Sequence, residues 1–297
     1  MQSFENSLRY CIFTFVKSEK LNRYYNYFQW LSLDVVLGAC AGLFFFQHLL
    51  DLSFTPVVYM LMALAVWGIY TFDHLMDARN ITGPASSARH LFHQVNFNKL
   101  LVWLVLVIIT ALFLAYDYIK FSRLMSFGVL LGTVIVGNIV FLKFFGKKVT
   151  ILKEITTAAF YTAGITLVPM VRFVNEGVPR VFWYFAFGYF LMAWFNLLLL
   201  SYVDHECDQR DRLGSIVSVL GAPVIHSLLK GLMWVELAYL SGLFFVLNSF
   251  YYIHLMILLV MFLVHVWAFF QPAESREKVR RQIDAAYLLP FLLFLVH

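Results

Sequence analysis

Six of the 17 acidic residues of this chain fall in two short windows, Asp73 and Asp77 in the first and Asp204, Glu206, Asp208 and Asp211 in the second. Both windows read Asp-His-x-x-Asp, as Asp73-His74-Leu75-Met76-Asp77 and Asp204-His205-Glu206-Cys207-Asp208. Residues four apart share one face of a helix, so each pair sets two carboxylates together, where they repel unless a cation lies between them. Two such pairs facing each other make a hard oxygen site suited to Mg²⁺, an ion that keeps several waters and is shared with substrate phosphates. The implied ligand is a phosphorylated or diphosphorylated molecule. A single pair reads more simply as solvated charge beside a membrane, but recurrence at the same spacing favours the metal. A rival, in which His74 and His205 ligate zinc or iron beside the carboxylates, meets a geometric objection: adjacent helical residues are turned about 100° apart. The histidines are therefore read as interfacial or supporting groups.

The elements that position these windows are membrane helices. The chain is 62% hydrophobic and 13% charged, far from soluble domains. Apolar runs near the length needed to cross a bilayer occur at 30–50, 54–72, 100–115, 124–145, 155–171, 181–203, 232–247, 251–270 and 283–296. The expectation is an all-α polytopic bundle of about nine transmembrane helices forming one domain over 30–297. It is preceded by an interfacial segment at 1–29, with Asp-rich cytoplasmic loops at 73–98 and 204–231. Gly221, Pro223 and His226 interrupt the apolar pattern and predict a bent approach to the seventh span.

Lys and Arg test this topology, because cytoplasmic segments carry the excess. With the N-terminus inside, only Lys120, Arg123, Arg172 and Arg180 of the 22 basic residues fall outside. The expectation is an integral membrane protein of an inner membrane or its equivalent, with its N-terminus cytoplasmic and its C-terminus outside. The net charge of +5 needs no nucleic acid, since the basic residues form no long run. Cys11, Cys40 and Cys207 are too scattered for a disulfide framework or a thiolate metal site. Glu154 and Glu236 are ionisable groups at membrane depth, which marks them as functional candidates; a structural role is the favoured reading of both.

Helices with Asp-rich motifs after the second and sixth spans resemble the UbiA superfamily of intramembrane prenyltransferases. Its first motif reads Asn-x-x-x-Asp-x-x-x-Asp and its second Asp-x-x-x-Asp, and Asp73, Asp77, Asp204 and Asp208 occupy the four aspartate positions. The resemblance implies that these four are catalytic and bind Mg²⁺ and the diphosphate of a prenyl donor. It also likens Lys143, Lys147 and Lys148, with Lys153 nearby, to the family's cationic contact to diphosphate, although the same residues read equally as ordinary cytoplasmic-side charge. The family's Asn falls at Ile69, with Tyr70 beside it. Asn196, about 12 Å deeper on the helix of Asp204, reads first as an interhelical hydrogen-bonding group and, in the alternative, as a polar group offered to the cavity. The expected partners are a prenyl diphosphate donor, a hydrophobic aromatic or lipid acceptor, and membrane lipid. The rival class is a non-catalytic lipid-binding, transport or assembly protein on the same scaffold, which the missing Asn favours. A soluble trans-prenyl synthase is excluded by the apolar helices, and a CDP-alcohol phosphotransferase by the residues that follow Asp73.

Overall fold

The computed structural model describes residues 24–120, 122–145, 150–271 and 276–296, and among these every regular element is helical. A first short helix, α1 (Tyr24–Trp30), meets α2 (Leu33–Leu49) at a bend of 67°, with Ser32 in the left-handed region at the corner. There follow α3 (Pro56–Asn80), α4 (Ala88–Val95), α5 (Phe97–Leu114), α6 (Arg123–Phe145), α7 (Lys153–Arg172) and α8 (Arg180–Arg210). The chain continues through α9 (Ile216–Leu220), α10 (Ala222–Val246), α11 (Tyr252–Phe269) and α12 (Arg276–Ala286).

Among the described residues seven helices are long and apolar enough to cross a membrane, or eight if the bent α1–α2 pair is one span. Eight of the expected apolar stretches coincide with helices. The last, 283–296, is not a single helix: α12 ends at Ala286 and a 3₁₀ segment takes over at Leu289–Leu295. Pro290 is the second residue of that segment, where its missing N–H and its ring disfavour continuation of α12. The break expected before the seventh span is present. Ser215 caps α9 through a reciprocal bond with Ser218, and Gly221 (φ 84) turns the chain into α10, with Pro223 in its first turn. The N-terminal interfacial segment falls largely outside the described residues.

Burial ranks the helices. In the apolar window of α8, 56% of residues are buried inside the protein, against none in α6, so α8 is central and α6 peripheral. α7 and α10 pack against α8, and α2 packs against α3 and α7. Phe45, Phe46, Phe182, Phe185 and Tyr189 form an aromatic core between α2 and α8. α2 and α7 come close because residue 42 has no side chain: a Cβ there would stand 2.9 Å from Ile165 Cδ1. Outward-facing Trp103, Phe113, Leu130 and Phe141 are exposed. An apolar face of this extent is suited to lipid.

Candidate functional site

The two acidic windows lie on helices, not in loops as the sequence reading had them. At 1.5 Å per residue, α3 and α8 are about 38 and 46 Å long, against about 30 Å of hydrocarbon. Their last turns therefore extend beyond the apolar core. Both Asp-x-x-x-Asp pairs precede the helix ends, α3 running to Asn80 and α8 to Arg210 with Asp211 as its cap; the first breakers by residue type are Gly83-Pro84 and Gly214.

A basic side chain from a distant helix meets each pair. Lys143, in the last turn of α6, donates to Asp77 and lies 3.1 Å from Asp73 Oδ1. Arg280 of α12 pairs with Asp204. Lys153, at the start of α7, lies in the fields of Asp77, Asp73, Glu154 and Asp208. Asp208 in turn feels Asp204, Lys153, Asp77 and Arg280. Carboxylates from two distant parts of the chain thus share electrostatic neighbours, and a cation already sits between the two of α3.

The connection from α3 to α4 closes one side of this cluster. Gln94 holds it by accepting from Ala85 N at 2.9 Å and donating to the carbonyls of Ala78 and Gly83 at 3.3 and 3.0 Å. Ser87 caps α4 by accepting from His90 N, and Ser86 N donates to Asp211 Oδ1 at 2.8 Å. So fixed, α4 delivers His90 to α3, where His74, Asp77 and His90 place ligand-type atoms within 4.8 Å of one another. Burial holds the imidazoles of His90 and His93 below their usual pKa, opposed at His90 by Asp77 and Asp211.

This grouping revises the objection to histidine. The angle that matters is not from Asp73 to His74. With Asp73 at 0°, Asp77 stands at 40° and His74 at 100° on the helical wheel, so Asp77 lies between them and can face either.

The remaining expected residues divide. Tyr70 is half-buried, with its ring 6.3 Å from that of His74. Asn196 has a buried Oδ1 with no hydrogen-bond partner among the described residues. Glu154 accepts from Ser201 Oγ at 2.7 Å, which fits its structural reading. Glu236 is 1% exposed on α10. Lys147 and Lys148 lie outside the described residues. Sequence reasoning missed Arg280 and His90. Arg280 reads as one more cytoplasmic base, and His90 stands in a connection with no apolar period to orient it.

Near Arg280, Asp284 of α12 is half-buried and Asp34 of α2 is buried. The surface cavity lined by Arg123, Arg172 and Asn175 lies at the other ends of α6 and α7 and takes no part in the cluster. No protein-family model matches the chain, and no curated protein or solved structure matches it either.

Proposed function

We propose that this protein is a UbiA-like intramembrane prenyltransferase, moving an isoprenoid chain from a prenyl diphosphate to a hydrophobic aromatic or lipid acceptor with Mg²⁺. The fold proposed with it is the nine-span UbiA bundle, with the α12–3₁₀ segment in the place of the ninth span. The N-terminus is cytoplasmic and the C-terminus outside.

The observation that carries the reading is the shared surroundings of the two acidic pairs: Lys153 feels Asp73, Asp77 and Asp208 together. The donor set fits Mg²⁺. All four candidate ligands are carboxylates, and the Lys143 ammonium bonded to Asp77 and close to Asp73 stands where a cation is favoured. Asp73, Asp77, Asp204 and Asp208 would hold the ion, which when bound neutralises charge on the diphosphate leaving group. Lys143, Lys153 and Arg280 then turn from carboxylates to diphosphate oxygens, for which their charge and donors are suited. The apolar helices take the isoprenoid tail and keep water from the allylic carbon.

The test has two arms. Mg²⁺ with a long-chain prenyl diphosphate is expected to raise the melting temperature of the purified protein through linked binding, and Asp73→Asn and Asp204→Asn to lose that shift. Membranes supplied with labelled prenyl diphosphate and lipid extract are expected to form a Mg²⁺-dependent labelled lipid. Variants that respond as wild type does would refute the site. Binding without product would favour the second reading, a non-catalytic prenyl-lipid binder, which Ile69 in place of the family's Asn supports.

A further inference from the structure

We infer that His74, Asp77 and His90 form a second site, sharing Asp77 with the carboxylate cluster, for a divalent transition-metal ion of the Zn²⁺ class, held by two imidazoles and one carboxylate. Ligand-type atoms of the three residues lie within 4.8 Å of one another. Ligands about 2.1 Å from a tetrahedral ion stand about 3.4 Å apart, so small side-chain rotations close the site.

The second observation is the state of His74. It is 9% exposed, and neither ring nitrogen has a hydrogen-bond partner among the described residues. Buried imidazoles normally bond through at least one nitrogen; here the groups facing the ring include a carboxylate and a second imidazole. His90 Nδ1 lies 3.9 Å from Asp211 Oδ2, close to the arrangement in which a carboxylate orients a metal-bound histidine from behind. The supporting shell is rigid, because Asp211 also holds Ser86 N and Gln94 fastens the connection to the end of α3.

Nitrogen donors decide the ion. Mg²⁺ and Ca²⁺ take oxygen, whereas two imidazoles and a carboxylate suit Zn²⁺, Fe²⁺ or Mn²⁺. Three protein ligands leave a position for water or an anion, as in catalytic rather than structural zinc sites. Lys143, now bonded to Asp77, is the competing cation. It already reaches Asp73 at 3.1 Å, so the incoming ion can displace it without leaving it unpaired. The inference does not rest on prenyl transfer, although the two share Asp77.

The probe is Co²⁺ added to the full chain in detergent, stripped with chelator and carrying no His tag. The expected result is visible ligand-field absorption saturating at one ion per chain, abolished by stoichiometric Zn²⁺ and weakened by Mg²⁺, which competes only through the shared Asp77, at far higher concentration. His74→Gln and His90→Gln should each weaken Co²⁺ binding by at least about ten-fold, while Asp204→Asn leaves it unchanged. No saturable absorption in the wild type, retention of tight binding in both histidine variants, or displacement by Mg²⁺ as readily as by Zn²⁺ would overturn the inference. The wild-type competition decides the matter even if a histidine variant fails to fold. Mg²⁺-dependent stabilisation by prenyl diphosphate reads the other proposal separately: loss of the Co²⁺ signal with that stabilisation intact removes only this site.

Discussion

Replacing Lys143 by Met keeps the unbranched stem but removes the ammonium that joins Asp73 and Asp77. The side chains of Lys143, Asp77 and Asp73 are 14%, 10% and 27% exposed, so water replaces the lost charge only in part. Two carboxylates one turn apart, about 5.5 Å, repel by about 3 kcal/mol at an effective dielectric of about 20. Removing one partner of a buried pair costs about 3–5 kcal/mol. Lys153 remains nearby and Asp73 is partly wet, which brings the expected loss to about 2–4 kcal/mol. Denaturant or thermal unfolding in EDTA should show that loss. On this reasoning Mg²⁺ should then return most of it, because an ion at one hundred times its Kd contributes about 2.7 kcal/mol. Wild type should gain less at the same ion concentration, since there the ion must first displace the ammonium. Equal stability of variant and wild type in EDTA, or a variant that Mg²⁺ does not restore, would refute the reasoning.

A further outcome follows from packing. Gly42→Leu drives a side chain into Ile165, which a Cβ alone would meet at 2.9 Å, and should cost about 1–3 kcal/mol. Adding Ile165→Ala should recover part of it, and simple additivity of the two losses in a double-mutant cycle would show that they do not share that space.

The membrane character was legible because it needs only composition and run length, and eight apolar stretches appear as helices. The ends were not. Asp73 to Asn80 and Asp204 to Arg210 continue α3 and α8 because no breaker precedes Gly83 and Gly214, whereas a hydropathy boundary places the end of a span at its first charges. The last stretch misled in the opposite direction: 283–296 is apolar enough to count, but α12 ends at Ala286 and the part around Pro290 is 3₁₀. Within the site, the Asp-x-x-x-Asp spacing conveyed which side chains share a face. It could not convey Lys143 or Arg280 as their partners, because those contacts span 66 and 76 residues of chain. His90 was harder still, since its position depends on Gln94, Ser87 and Asp211 holding a connection that has no repeat of its own.

The cations on the aspartates also constrain how ligands bind. Carboxylate pairs at the edge of a low-dielectric core are costly unless balanced, and here Lys143 from α6 and Arg280 from α12 supply the balance. Under the proposed function, those same bases are the ones a diphosphate needs. Mg²⁺ alone, taking both carboxylates of each pair, must displace an ammonium or guanidinium that then has no partner. A diphosphate alone must draw those bases away and leave the aspartates repelling one another. Together the two satisfy both sets of charges, so each should bind more tightly in the presence of the other, by the same factor in either direction. In the melting experiment this coupling appears as a combined shift larger than the sum of the two separate shifts, and strictly additive shifts would mean that the aspartates and their basic partners do not act as one site.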